Sequence, residues 1–145
     1  MKLHILLCLA AGLLLAADAT DEQAAKKELK KLEGTWKIVS ITREGNEQQP
    51  ENVVSTVSDD KFTTKAGDRI VREGSLKIYP SQSPKGADAT YTRGPDKGKT
   101  LKGIYELKGD TWKICYSAAG EERPKAFPKD TDKAYLILVL QREKR

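Results

Sequence analysis

Histidine and cysteine, which carry much of protein catalysis, are scarce in this 145-residue chain. It has one histidine, His4, and two cysteines, Cys8 and Cys115. Histidine is the usual general base near neutral pH and the commonest zinc ligand, and a nucleophilic cysteine needs a base beside it. His4 and Cys8 lie in an apolar N-terminal segment, which leaves Cys115 alone in the rest of the sequence. The sequence therefore predicts neither a metal site nor a cysteine nucleophile.

Paired carboxylates are the next candidates for acid–base chemistry, and they occur at Asp59-Asp60 and Glu121-Glu122. Neighbouring residues on a strand point to opposite faces, so neither pair is arranged as an acid–base dyad. Both pairs adjoin predicted turns, where solvated charge is the norm. Asp59, Asp60 and Asp68 do not have the spacing of a calcium-binding loop. We therefore predict a protein that is not an enzyme and that has no cofactor.

The segment at residues 94–100, Gly-Pro-Asp-Lys-Gly-Lys-Thr, looks at first like a phosphate-binding loop. A P-loop has four residues between its glycines, whereas three separate them here. It also needs a strand before it and a helix after it, but residues 101–105 alternate as a strand does. The segment is therefore predicted to be a turn, at which Lys97 and Lys99 could form at most a modest anion site.

The first 19 residues have the pattern of a secretory signal peptide. Lys2 and His4 give a basic start, residues 5–15 form an apolar core, and residues 17–19 have the small-x-small pattern Ala-Asp-Ala. The apolar run is shorter than the roughly 20 residues of a transmembrane helix. We predict an exported protein, secreted or periplasmic, whose mature chain of residues 20–145 forms a single domain. The alternative is an uncleaved N-terminal anchor.

The charge of the chain is basic, with a net value of +5 and an isoelectric point near 9.1. The basic residues are interleaved with acidic ones, and a lysine cluster at residues 26–31 is predicted to be a solvated helix face. Binding of single-stranded nucleic acid would need exposed aromatic rings on a groove, whereas Tyr91, Tyr105 and Tyr116 lie in alternating strands. The sequence therefore does not predict a nucleic-acid partner.

The hydrophobic period changes at Gly34. Before it, a narrow apolar stripe predicts a helix at about residues 21–33, which Thr20 and Gln23 would cap. After it, apolar residues alternate with polar ones in seven or eight short segments separated by turns, over about residues 34–142. This pattern is typical of an all-β protein, a small antiparallel barrel of about eight strands or a sandwich, after a short N-terminal helix.

Two local features of these segments have specific consequences. Gly74 interrupts an apolar segment at residues 69–79 and predicts a β-bulge. Residues 52–58 are consistent with a weak strand or a short helix, and the sequence does not decide between them.

The two ends of the predicted barrel carry a complementary pair of residues. Gly34 and Trp36 open the first strand, and Arg142 closes the last one. This pattern resembles that of the lipocalins, in which the arginine stacks over the indole and closes the barrel floor. A guanidinium over an indole is worth about 0.5–2 kcal/mol, and pairing the first strand with the last removes both free edges. Gly34, Trp36 and Arg142 are therefore predicted to close the barrel.

Motifs across most of the chain resemble those of the planctomycete family of small secreted domains of unknown function. They are residues 94–100, 103–107 and 109–111, Ile114-Cys115-Tyr116, Glu122-Arg123-Pro124 with Phe127, and residues 34–37 and 140–142 at the two ends. The resemblance extends from about Leu29 to Arg145. It implies a lipocalin-like barrel and export, with no assigned activity and no functional residues to transfer.

Alternation along the strands divides the side chains between the barrel interior and its outside. Six are candidate ligand-binding residues on the interior face: Trp36, Ile38, Tyr105, Trp112, Ile114 and Tyr116. Ser40, Ile137 and Val139 are predicted to share that face. Cys115 falls on the opposite face, where we predict a buried thiol in a monomer, the alternative being a covalent dimer through Cys115.

Two functions remain open at this point. The favoured one is binding of a small apolar or mixed ligand inside the barrel. The alternative is a filled barrel whose surface binds a protein or an envelope polymer, because eight strands enclose a space that side chains alone can fill. A cavity of roughly 300 Å³ or more would favour the first function.

Overall fold

The computed structural model describes residues 9–128 and 135–144, with side chains from residue 20 onwards. Three residues used in the signal-peptide argument, Lys2, His4 and Cys8, lie outside the described residues. So does Ala134, which precedes the last strand.

In the part of the chain that the structure describes, one helix precedes nine strands. Their bounds are α1 Leu9–Leu32, β1 Gly34–Arg43, β2 Asn46–Gln48, β3 Val53–Ser58, β4 Lys61–Ala66, β5 Arg69–Tyr79, β6 Lys85–Arg93, β7 Thr100–Lys108, β8 Thr111–Tyr116 and β9 Leu136–Arg142. Each strand from β3 to β8 pairs antiparallel with the next one along the chain. The barrel is closed by β1, which pairs with β3 on one side and with β9 on the other. The short β2 pairs only with β1. The predicted all-β fold, a closed antiparallel barrel of eight strands after an N-terminal helix, is confirmed.

The helix extends further towards the N-terminus than the sequence predicted. Its described part already includes Leu9, well before residue 21, and it ends at Leu32. Residues 9–17 are leucine and alanine with a single glycine, and leucine and alanine favour a helix strongly enough to continue it backwards. Thr20 is therefore an internal helical residue in the full chain.

The uncertain segment at residues 52–58 is a strand, β3, and the predicted bulge at Gly74 is present. The register between β5 and β6 shifts between Glu73 and Gly74. A Cβ atom at position 74 would clash with the carbonyl oxygen of Thr90 and lie 2.7 Å from the Phe62 ring. Glycine is therefore required here for the close approach of neighbouring strands.

A second bulge, in β1, reverses which side chains point inwards. The register between β1 and β9 shifts between Ile38 and Ser40. Beyond this shift Ile41 and Arg43 line the barrel interior with Ile38, whereas Ser40 turns outwards and donates a hydrogen bond to Glu47. The prediction that Ser40 shares the inner face is wrong, because one extra residue exchanges the two faces of a strand.

The last strand also presents the face that the sequence did not predict. Leu136, Leu138 and Leu140 line the interior, so the assignment of Ile137 and Val139 to that face is wrong. All five residues are apolar, so β9 has no alternation from which to choose a face. Its pairing with β1 and β8 makes the choice.

The connection between β8 and β9 is tied across the outside of the barrel by Arg123. Its guanidinium donates to the Asp88 carboxylate (2.7 Å) and the Gly103 carbonyl (2.9 Å), and it lies 4.9 Å from the centre of the Tyr79 ring. Phe127, on the same connection, packs on a small cluster outside the barrel formed by Ile104, Cys115 and Ile137. The main core, by contrast, lies within the barrel and beneath α1.

Candidate functional site

The end of the barrel beside α1 is closed by Trp36. Its side chain is fully buried, and its indole N–H donates a 2.8 Å hydrogen bond to the carbonyl of Leu32 in the last turn of the helix. The ring also meets Trp112 edge to face, with centroids 5.3 Å apart. Trp36 thus joins α1 to the barrel core through one polar and one aromatic contact.

Arg142 completes this closed end. Its guanidinium carbon lies 4.2 Å from the centre of the Trp36 ring. Its nitrogens donate to the carbonyl of Glu33 (2.7 Å) and to that of Lys31, which the helix leaves without partners of its own. Gly34 has φ of +126°, and a Cβ there would lie 2.9 Å from the Arg142 Nη1 atom. The three residues predicted to close the barrel are thus in mutual contact.

A buried carboxylate fixes the helix to the same end. Glu28 accepts hydrogen bonds from Lys85 (2.8 Å) and from the Tyr105 hydroxyl (3.2 Å), and Lys31 lies 3.3 Å away. Burial acts to raise the pKa of Glu28, but hydrogen bonds and charge from Lys85 and Lys31 outweigh it, so the pKa lies below the ordinary value of 4.5. Burial and the neighbouring Glu28 charge raise the pKa of Tyr105. Tyr105 therefore holds the helix in place instead of lining a cavity.

The lowered pKa of Glu28 predicts how acid affects stability. A carboxyl whose pKa falls on folding stabilises the protein above its unfolded pKa, and this contribution is lost as the pH falls through the folded pKa. We expect Glu28→Gln to lower the free energy of unfolding at pH 7 by about 1–2 kcal/mol, and by less than that below the ordinary pKa of 4.5. Urea unfolding from pH 3 to 7 measures this, with the exposed Glu22→Gln on the same helix as control. An equal loss at every pH would contradict the prediction.

A cavity of about 290 Å³ lies within the barrel towards its other end. Of the six predicted lining residues, Ile38, Trp112, Ile114 and Tyr116 line it, whereas Trp36 and Tyr105 lie at the closed end. The other lining residues come from β1, β2, β3, β4, β5, β6 and β9, and they are Ile41, Arg43, Gln48, Val53, Ser55, Val57, Phe62, Thr64, Arg72, Leu76, Tyr91, Leu136, Leu138 and Leu140.

The polar groups of this cavity escaped the sequence analysis. Arg43 and Arg72 are half-buried and line it, and no acidic residue is among its described lining residues. Tyr91 lines the same region, and burial raises the pKa of its hydroxyl to about 12, opposed by the charge of Arg72. Alternation along β5 could have identified Arg72 as an inward residue. Arg43 could not be identified in this way, because it points inwards only as a result of the bulge in β1.

Trp112 adds an unusual polar atom to the lining. Its side chain is 2% exposed, and within the described part of the chain its indole N–H has no hydrogen-bond partner. A buried donor without an acceptor costs about 1–3 kcal/mol. Among the described side chains, Trp112 is the only cavity residue with a fully buried polar atom that has no hydrogen-bond partner.

Cys115 is buried on the outer face of β8, as predicted. Burial raises the pKa of its thiol, and nearby Lys113 only partly opposes this. Because the thiolate is the reactive form, we expect native protein to react with a thiol reagent at least about a hundredfold more slowly than unfolded protein. The absorbance of the leaving group that a chromogenic thiol reagent releases measures this rate, with urea-unfolded protein as reference. Rapid native labelling, or a dimer that reductant separates, would contradict it.

Comparisons with known proteins do not identify a relative. No family model matches this chain, and neither a curated protein nor a solved structure is significantly similar to it. In the part of the chain that the structure describes, no group of three or more potential metal-ligating residues comes together. Among the described helical residues, no apolar stretch is sufficient to span a bilayer.

Proposed function

We propose that this protein is an exported, lipocalin-like barrel that binds a small apolar or mixed ligand inside its cavity. The observation that carries the proposal is the cavity of about 290 Å³, which is close to the roughly 300 Å³ at which the range for small-molecule sites begins. A barrel filled by its own side chains would have left no such space, so the cavity favours ligand binding over a purely surface-acting module.

The size and lining of the cavity limit its ligand. At roughly 30 Å³ per non-hydrogen atom, taken from the volume of a water molecule, 290 Å³ holds about ten such atoms. Isoleucine, leucine and aromatic side chains supply most of the walls, and apolar surface removed from water contributes about 25 cal/mol per Å².

Export is supported by the sequence around residue 19 together with the course of α1. Cleavage after Ala19 would leave Thr20 at the start of the remaining helix, where its hydroxyl can cap backbone amides together with Gln23. The described contacts that fix the helix to the barrel come from residues beyond this point, notably Glu28 and Leu32. Removal of residues 1–19 therefore preserves the anchored part of α1.

Native mass spectrometry of the protein purified gently from the extracellular or periplasmic fraction tests both parts of the proposal. We expect a chain that begins at Thr20 and carries a stoichiometric extra mass that is lost on denaturation. A bare mass, together with no uptake of a hydrophobic fluorescent probe, would contradict ligand binding and favour the surface-acting module. A chain that retains residues 1–19 would contradict cleavage at the proposed site.

A matched pair of variants on β9 tests whether binding takes place inside the barrel. Leu138 lines the cavity, whereas its neighbour Val139 faces outwards. We expect Leu138→Trp to occupy cavity volume and weaken binding of a hydrophobic fluorescent probe about tenfold or more, equivalent to about 1.4 kcal/mol. Val139→Trp should leave probe affinity within about twofold. Equal effects of the two substitutions would place the probe outside the barrel.

A further inference from the structure

We infer that the ligand is a small amphipathic anion, whose carboxylate binds between Arg43 and Arg72 while its apolar body fills the barrel. This inference rests on the proposed function, since it names the class of molecule that the cavity would hold. It is carried by the position of the two arginines in the cavity and by the ion pairs that they lack among the described residues.

Arg43 reaches the cavity from the end of β1. The bulge between Ile38 and Ser40 places it on the inner face, where it is half-buried. One nitrogen of its guanidinium donates to the Tyr135 hydroxyl (3.3 Å), and the guanidinium carbon lies 5.5 Å from the centre of that ring. A single neutral partner leaves most of its five N–H donors available to another acceptor.

Arg72 faces the same space from β5. It pairs across the sheet with Thr64, which also lines the cavity. Arg72, Arg43 and Tyr91 all line this cavity. The charges of both arginines act on the Tyr91 hydroxyl, as does the opposite charge of Asp96, which is buried nearby but is not among the lining residues. Register places the two arginines away from α1, because Arg43 ends β1 and Arg72 lies near the start of β5.

Neither arginine forms a salt bridge within the described residues. Six salt bridges are present there, and they engage Lys31, Lys85, Arg93, Lys108, Arg123 and Arg142. The described lining contains no aspartate or glutamate to balance the two charges. A partly buried charge without a counter-charge is unfavourable, so this part of the cavity is complementary to an anion.

A carboxylate fits both the two guanidinium groups and the small size of the cavity. Guanidinium groups bind carboxylates through paired, charge-assisted hydrogen bonds of fixed geometry. Opposite the arginines, towards Trp112, the walls are apolar, with Ile38, Ile114 and Leu140 among them. One charged end and one apolar end in a space for about ten non-hydrogen atoms define a short amphipathic acid.

Octanoate and octanamide make a matched pair of probes, because each has ten non-hydrogen atoms and only octanoate is charged. Titration calorimetry, supported by the intrinsic fluorescence of Trp36 and Trp112, measures their affinities for the mature protein at pH 7. We expect octanoate to bind about tenfold or more tightly than octanamide. We expect Arg43→Gln with Arg72→Gln to abolish this preference while octanamide affinity stays within about threefold.

The control is Arg69→Gln with Arg93→Gln, which removes the same net charge from exposed positions. It should retain most of the preference for octanoate. Equal binding of octanoate and octanamide to the unmodified protein would overturn this inference and leave the proposed function standing. If neither octanoate nor octanamide binds, and no other hydrophobic probe binds either, both this inference and the proposed function are overturned. If the double variant does not fold, the comparison of the two probes on the unmodified protein still decides.

Discussion

Replacement of Trp36 by alanine is expected to lower the free energy of unfolding by about 3–5 kcal/mol, the usual cost of truncating a buried aromatic side chain. The substitution removes the edge-to-face contact with Trp112, the stacking surface for Arg142 and the hydrogen bond to the Leu32 carbonyl. Because domains are stable by only about 5–15 kcal/mol, a large part of the stability is at stake. Urea unfolding followed by circular dichroism measures the change.

Trp36→Phe separates packing from hydrogen bonding at this position. It keeps an aromatic ring in the core but loses the N–H, so we expect a smaller loss of about 1–2 kcal/mol. Val39→Ala on the same strand serves as a control, because Val39 adjoins the bulge and is only partly buried. A loss below about 1 kcal/mol for Trp36→Ala would contradict a central role for Trp36 in the core.

Arg142→Ala is expected to lower the free energy of unfolding by about 2–4 kcal/mol while leaving ligand affinity within about threefold. The estimate combines loss of the stacking on Trp36, about 0.5–2 kcal/mol, with loss of charge-assisted hydrogen bonds to the helix end. Binding should survive because Arg142 lies at the closed end and does not line the cavity. Urea unfolding and fluorescent-probe titration measure the two quantities on the same samples.

Arg142→Lys and Lys144→Ala are the controls for this prediction. Lysine keeps the charge, but it lacks the planar fork that donates to two carbonyls while stacking on a ring, so we expect it to recover less than half of the loss. Lys144 is exposed two residues further on, and its removal should change stability by less than about 0.5 kcal/mol. An unchanged denaturant midpoint for Arg142→Ala would contradict its role in closing the barrel.

Local chemistry was sufficient to predict most of the elements. Turn residues and period-two alternation placed the strands, and Gly74 marked its bulge because no side chain fits there. Gly34, Trp36 and Arg142 were selected by their resemblance to the lipocalin pattern, and in the structure the Arg142 guanidinium lies over the Trp36 ring and close to Gly34.

The binding cavity was only partly predictable. Ile38, Trp112, Ile114 and Tyr116 line it as alternation predicted, but Trp36 and Tyr105 contact the helix end instead, through Leu32 and Glu28. Alternation shows that a side chain points inwards, whereas its depth along the barrel depends on register and on what covers the end.

The sequence by itself determined the alternation of side chains, the turns and the absence of histidine after residue 4. Only the tertiary structure decided that Arg43 faces inwards, that Leu138 rather than Val139 lines the interior, and that a space of about 290 Å³ remains. The physical reason is that pairing with neighbouring strands sets which side chains point inwards in a bulged strand or in a strand that is apolar throughout. A cavity, likewise, is the volume left between side chains that come from every strand of the barrel, and no single segment of sequence contains it.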